Sequence, residues 1–148
     1  MTKSVVITKF LKNNRYVIDP LLKVKDSGSY AIPPYITEFN LSLEELLNKV
    51  LYAIEFSREG VLEITDSKIR VKEYLKGIGV KTLKEIYKDT IQVDIYVKDS
   101  TIEFNPWKNA GTKGGFVGFE EDLSIKLPFN SPKEELLKAL ELTLSRCE

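Results

Sequence analysis

The period of apolar and polar positions changes several times along the chain, and each change marks an element. Ser4 to Phe10 and Arg15 to Asp19 are rich in β-branched and aromatic residues. Lys12, Asn13 and Asn14 separate them, which predicts a hairpin turning at the two asparagines. Asp19-Pro20 is expected to interrupt the chain before a short strand over Leu21 to Val24. After a turn at Asp26, Ser27, Gly28 and Ser29, the run YAIPPYI is expected at an edge or in a loop, because Pro33 and Pro34 bring no amide donor. Leu43, Leu46, Leu47, Val50, Leu51 and Ile54 then recur at spacings of three and four, one stripe of a helix predicted over about 43–56. Ser42 and Glu45 have the spacing of a capping box, and Glu45 and Lys49 that of a surface pair. The stripe needs a sheet or helix to cover it, while Glu44, Glu45, Asn48, Tyr52 and Glu55 form the opposite, polar face.

A shorter helix is predicted near 67–76, capped by Asp66 or Ser67 and ended by Gly77 or Gly79, with another helical turn or two over Lys81 to Lys88. The period then becomes two. Ile91, Val93, Ile95 and Val97 alternate with Gln92, Asp94, Tyr96 and Lys98, as in a strand with one wet face. Asp99-Ser100 turns the chain into Thr101 to Phe104, and Leu123, Ile125 and Leu127 alternate again until Pro128. A last helix is predicted from Pro132 to about Arg146, with Ser131 as its cap, Glu134 in the box position and Leu136, Leu137, Leu140 and Leu144 as its stripe. Together these elements predict an α+β fold in a single domain over 1–148: a mainly antiparallel twisted sheet packed by the helix at about 43–56 and the C-terminal helix at about 132–146.

Composition narrows the chemistry. A chain of 148 residues can bury a substantial core. Its 22 basic and 22 acidic residues cancel, so no global charge draws it to nucleic acid or an anionic membrane. Any electrostatic partner must be met locally: acids predominate from Glu38 to Asp66 and bases from Lys68 to Lys88. Histidine is absent, which excludes histidine-dependent triads and histidine zinc sites. The single cysteine, Cys147, can form no internal disulfide, and no apolar run has the length of a signal or a membrane span. The expectation is a cytoplasmic protein without cofactor or metal.

The most distinctive stretch is Phe104 to Asp122, FNPWKNAGTKGGFVGFEED, which holds the only tryptophan and half of the eight glycines. Gly111, Gly114, Gly115 and Gly118 beside Lys108 and Lys113 suggest a phosphate cradle. Neither G-x-G-x-x-G nor a P-loop is present, however, and the stretch leads into a strand rather than a helix N-terminus. The same glycines suit a broad connection whose Trp107, Phe116 and Phe119 either pack inward or meet a protein partner beside an acidic exit. The candidate partner-binding residues are Trp107, Lys113, Phe116, Phe119, Glu120, Glu121 and Asp122, with Tyr52 and Glu55 on the polar helix face. Asp94, Glu103, Glu120 and Glu121 are the conceivable acid–base carboxylates, but spacing alone places no pair in one cleft, and no catalytic residue is assigned. An alternative is a single-stranded nucleic-acid-binding module using Lys68, Arg70, Lys72 and Lys76 beside Tyr74, or Tyr96 and Trp107 as a stacking platform.

The segments SVVITKF, YVIDPLLKVKDSGSYAIPPYITEF, LSLEELLNKVLYAIEFSREGV and YLKGIGVKTLKEIYK together resemble a family of immunity proteins from bacterial contact-dependent growth inhibition systems. The likeness is clearest from Ser4 to about Lys88 and extends more loosely to SPKEELLKAL. It implies a non-enzymatic antidote that binds the C-terminal toxin domain delivered by a neighbouring cell, often a nuclease acting on DNA or transfer RNA. The family has no motif-defined catalytic positions to carry over. Nuclease sites are usually electropositive, so the acidic Glu38 to Asp66 region or the Phe119 to Asp122 exit is expected to meet the toxin. Addition of a toxin strand to an exposed sheet edge is a second mode of contact.

Overall fold

A computed structural model describes residues 2–148. Lys3–Phe10 (β1) and Arg15–Val24 (β2) form the predicted hairpin, with Ile7 opposite Ile18. Asn14 takes φ 54° in the turn, a left-handed conformation that asparagine tolerates. The expected interruption at Asp19-Pro20 does not occur, and β2 runs through it. On its outer side β2 is paired by Gly28–Ala31 (β3) over Leu21 to Val24 and by Ile36–Phe39 (β4) over Arg15 to Ile18. Pro20 falls in the gap between these two partners, where a missing donor is tolerated, and the two prolines lie between β3 and β4 as expected of an edge.

After Leu43–Ile54 (α1), Arg58–Gly60 (β5) pairs in parallel with Leu22 to Val24. Ser67–Ile78 (α2) and Leu83–Ile86 (α3) follow, then Thr90–Lys98 (β6), Thr101–Pro106 (β7), Lys108–Asn109 (β8), Gly111–Gly114 (α4), Phe116–Val117 (β9), Ile125–Pro128 (β10) and Lys133–Arg146 (α5). The main sheet runs β10-β7-β6-β1-β2-β3, with every pairing antiparallel except that of β5. The fold is therefore α+β with a mainly antiparallel sheet. The β6–β7 hairpin turns at Asp99 and Ser100, both at positive φ.

One face of the sheet is dry. Val5, Ile7, Ile18, Val93, Ile95, Ile102 and Phe104 meet Leu46, Leu47 and Val50 of α1 and Leu136 and Leu140 of α5. Each large side chain buried there contributes about 1.5 to 3 kcal/mol before entropy is deducted. Both arms of the α1 capping box form: the Ser42 N–H donates to Glu45 Oε1 at 2.9 Å and the Glu45 N–H to Ser42 Oγ at 3.1 Å. With Glu45 so engaged, the expected Glu45–Lys49 pair is replaced by Lys49 reaching Glu38 at 3.6 Å. The expected Ser131 cap of α5 is also absent. Pro132 occupies the cap position, and the Ser131 hydroxyl instead closes the preceding turn by donating to the Pro128 carbonyl at 2.6 Å.

The opposite face is only partly covered, by α2 and α3. Val17, Ile78, Val80 and Ile86 form a second, smaller core with Tyr35, Tyr74, Leu75, Tyr87 and Phe116 around it. Helix α2 runs two residues beyond its expected end, through Gly77, and stops at Gly79 with φ 71°. Gly77 is there for contact: a Cβ on it would lie 2.3 Å from Tyr35 Cδ2. The expected wet face of β6 is correspondingly wet only in part, since Asp94 is buried.

Candidate functional site

The stretch beginning at Phe104 is built, not a free loop. Phe104 lies in the main core, and β8 and β9 pair as a small ribbon around the α4 turn. Asn109 fastens the ribbon: its side-chain amide donates to the carbonyls of Tyr87 at 3.0 Å and Thr90 at 2.9 Å, and its Oδ1 accepts from the Gly111 N–H at 2.8 Å. The Trp107 N–H donates to the Gln92 carbonyl at 3.1 Å, and the Asn109 N–H to the Glu148 carbonyl at 2.6 Å. Gly111 and Gly115 take φ 88° and 65°, conformations costly for any residue with a Cβ.

Beside this ribbon lies a cleft of about 420 Å³. Tyr96 of β6 and Glu103 and Asn105 of β7 line its sheet side, joined by Trp107 and by the returning segment from Gly118 to Ser124. Tyr96 is opposite Glu103 in register and Asp94 opposite Asn105, which places all four on one sheet face. The returning segment is tied down at its end. Asp122 accepts from the Ser124 N–H at 3.0 Å and from its hydroxyl, bonds that hold the Asp122 carboxyl below its ordinary value. The Leu123 carbonyl accepts from Arg146 Nη1 at 2.9 Å, a link to α5.

The electrostatics are one-sided. Glu103, Glu120, Glu121 and Asp122 line the cleft, and none of the lining residues is basic. Two counter-charges stand at its rim: Lys126, paired with Glu103 at 3.5 Å, and Arg146, held on the Leu123 carbonyl. Close by on the same face, burial pushes the Asp94 carboxyl up to about 6, opposed by the Trp107 indole and the Tyr96 hydroxyl. The hydroxyl donates to Asp94 Oδ2 at 3.3 Å, and Tyr96 is itself pushed up to about 12, by burial first and Asp94 second. Trp107 Nε1 lies close enough to favour the Asp94 carboxylate, yet it is buried without completing a hydrogen bond of normal geometry. The site thus combines aromatic surface and four carboxylates, with the buried Trp107 indole N–H set against Asp94. That set suits a cationic or hydrogen-bonding segment of another molecule.

Of the candidate residues, Trp107, Phe119, Glu120, Glu121 and Asp122 come together in this cleft. Phe116 does not: its ring turns into the second core, 5.4 Å from that of Tyr87. Lys113 is exposed on the α4 turn and does not line the cleft. Tyr52 is exposed on α1 with its ring 5.1 Å from that of Phe56, and Glu55 lines a separate groove with Phe56 and Arg58. The stacking platform considered for nucleic acid is surrounded by carboxylates, and Tyr74 turns inward to Asp19, away from the α2 lysines. Asn105, Asn109 and Asp19 escaped the sequence reading. Asn105 shares the two-residue period of Glu103 and was detectable; the anchoring amide of Asn109 and the buried carboxyl of Asp19 left no local signal.

Among the described residues no three cysteine or acidic side chains are grouped to hold a metal ion, and no helix is long and apolar enough to cross a membrane. No curated protein matches the sequence. Two solved structures share the fold across the full chain. One is a protein of unknown function from Neisseria meningitidis, with a TM-score of 0.77 at 19% identity, the match covering 100% of this chain and 96% of that one. The other is a CdiA-CT/CdiI toxin and immunity complex from Yersinia pseudotuberculosis, with a TM-score of 0.75 at 19% identity and coverage of 100% and 98%. The sequence model of the CDI immunity protein family, CdiI, matches residues 36–147, a span that includes α1, β6, β7, β10, the cleft and α5. The chain belongs to the CDI immunity protein family.

Proposed function

We propose that the protein is a cytoplasmic, non-enzymatic antidote that binds the C-terminal toxin domain of a cognate contact-dependent growth inhibition effector, and that the toxin is a nuclease. The observation that carries the contact surface is the cleft at Trp107, where four carboxylates surround aromatic side chains without a lining base. A nuclease must attract phosphate, so its own surface is electropositive. An acidic cleft complements that surface, accelerates encounter and competes with nucleic acid for the same cations. Trp107 and Phe119 supply the apolar anchors that fix such a contact once formed. The ties at Asn109, Asp122 and Arg146 hold the cleft in shape before binding, which limits the ordering entropy lost on association.

The test is a triple charge reversal, Glu120→Lys, Glu121→Lys and Asp122→Lys, measured by stopped-flow association with the purified toxin domain and by survival on co-expression. Association should slow by about tenfold or more at low salt, converge with wild type as salt rises, and protection should fall. An unchanged association rate with full protection would remove the cleft from the contact surface.

A further inference from the structure

The polar face of the sheet carries a second concavity on the far side of β1. Val6 stands opposite both Asp19 of β2 and Asp94 of β6, so the two buried carboxyls flank a single strand. Asp19 has 0% exposure. Its Oδ2 accepts from the Tyr74 hydroxyl at 2.5 Å, but its Oδ1 has no donor. Asp19 borders a cavity of about 550 Å³ beneath α2, with Tyr30, Tyr74 and Tyr87 presenting aromatic surface and Thr8 and Gln92 presenting polar atoms from the sheet.

A buried carboxyl oxygen without a partner is costly, and stability alone gives no reason for it. No cation of the described chain pairs with Asp19. The nearby Arg70 is committed elsewhere, with its guanidinium 5.0 Å over the Tyr30 ring and its Nη1 donating to the carbonyls of Ile64 and Thr65. What the cavity lacks is therefore one donor to Asp19 Oδ1, and a positively charged donor would also draw off the proton that burial holds on this carboxyl, in a place lined by aromatic rings.

We propose that this cavity receives an arginine side chain of the bound toxin domain, whose guanidinium donates to Asp19 Oδ1. A guanidinium fits better than an ammonium for two reasons. Its planar faces stack on tyrosine rings, and its several N–H groups can satisfy Asp19 while others meet Thr8 and Gln92. The cavity is large enough for the aliphatic stem as well. Asp19 is sealed in the free chain, so entry requires the partly exposed Tyr30, Arg70 or Tyr74 to swing aside. The source of the arginine rests on the toxin-binding reading, but the pocket uses none of the residues that line the Trp107 cleft.

The experiment needs no toxin. The isolated protein is titrated with N-acetyl-arginine-methylamide, its neutral isostere N-acetyl-citrulline-methylamide, and spermidine, following the Asp19 carboxyl carbon and the Gln92 side-chain amide by NMR. The arginine analogue should give saturable shifts with a Kd in the millimolar range, the citrulline analogue none, and spermidine markedly weaker ones. Asp19→Asn should weaken arginine binding by about tenfold or more, the loss expected for one charge-assisted hydrogen bond. Equal responses to arginine and citrulline, no saturable response in the wild type, or preferential binding of spermidine would each overturn the proposal. The comparison of analogues stands on wild-type protein, so it survives even a poorly folded variant. Since charge reversal of the Trp107 cleft is read on toxin association instead, the two proposals fail separately.

Discussion

Replacing Asp19 with asparagine should flatten the pH dependence of stability in the neutral range. Burial raises the Asp19 carboxyl from its ordinary value of 3.8 to about 7, against the opposing hydrogen bond from Tyr74. Between those two values the folded protein holds a proton that the unfolded chain has released. The native state therefore binds more protons, and unfolding free energy falls as pH rises through that window. From pH 5 to pH 8 the loss from Asp19 is about 3 kcal/mol. Asp94, raised to about 6 by burial, adds about 1 kcal/mol in the same direction.

Urea unfolding at pH 5, 6, 7 and 8, followed by far-UV circular dichroism, checks this directly. With a urea slope of about 2 kcal/mol per molar, the wild-type midpoint should be on the order of 2 M higher at pH 5 than at pH 8. Asp19→Asn keeps an acceptor for the Tyr74 hydroxyl and carries no titrating group, so only the smaller Asp94 part should remain. Glu45 and Asp122 have carboxyls held below their ordinary values by Ser42 and Ser124. They act in the opposite sense, but only in stronger acid, outside the window measured. A wild-type midpoint that is flat or rises with pH, or an asparagine variant with the full wild-type slope, would refute the reasoning.

Two further substitutions probe the local architecture. Gly77→Ala should destabilise by about 1 to 3 kcal/mol even though alanine is the better helix former by roughly 1 kcal/mol, because its Cβ would meet the Tyr35 ring at 2.3 Å. Thermal unfolding decides the sign, and a stabilised variant would show that Tyr35 moves aside freely. Ser42→Ala should cost about 1 kcal/mol through loss of the α1 cap. In the same variant the Glu45 carboxyl should rise only part of the way towards its ordinary value in an NMR titration, because the backbone N–H at position 42 still donates to Oε1, whereas an unmoved Glu45 would show that the Ser42 hydroxyl takes no part in lowering it.

Helices and hairpins were legible wherever a local rule decides them. The α1 stripe, the Ser42–Glu45 box and the turns at Asn14 and Asp99-Ser100 depend on residues adjacent in sequence, and all are present. Two of the departures, at Pro20 and Gly77, come from neighbours distant in sequence, and the third, at Ser131, from a competing local bond. Pro20 reads as a strand breaker, yet it is accommodated because β3 and β4 divide the outer edge of β2 around it. Of the two glycines expected to end α2, Gly79 is the cap, while Tyr35 makes Gly77 an interior contact. Ser131 reads as a cap, yet its hydroxyl finds the Pro128 carbonyl first. For the candidate site, composition brought Trp107 and the acidic exit forward together, while Phe116 was inseparable from them because inward and outward aromatics have the same sequence signature. The Asp19 cavity was hidden for a different reason: an aspartate at the end of a predicted strand carries no sign of burial, and only the pairing of β1 with both β2 and β6 sets it in the same row as Asp94.

That row explains how one sheet can serve two purposes. Side chains alternate across each strand, so Val5, Ile7, Val93 and Ile95 close one face under α1 and α5 while Thr8, Asp19, Gln92 and Asp94 necessarily point to the other. The large apolar cluster lies entirely on the first face. The second face, roofed only in part by α2 and α3, retains an acceptor without a donor at Asp19 and an indole donor at Trp107 that rests on Asp94 without normal geometry. Covering it with another apolar layer would add stability but erase the polarity. A binding protein gains from the opposite arrangement, with stability concentrated on the dry face and unsatisfied groups kept where a partner can complete them.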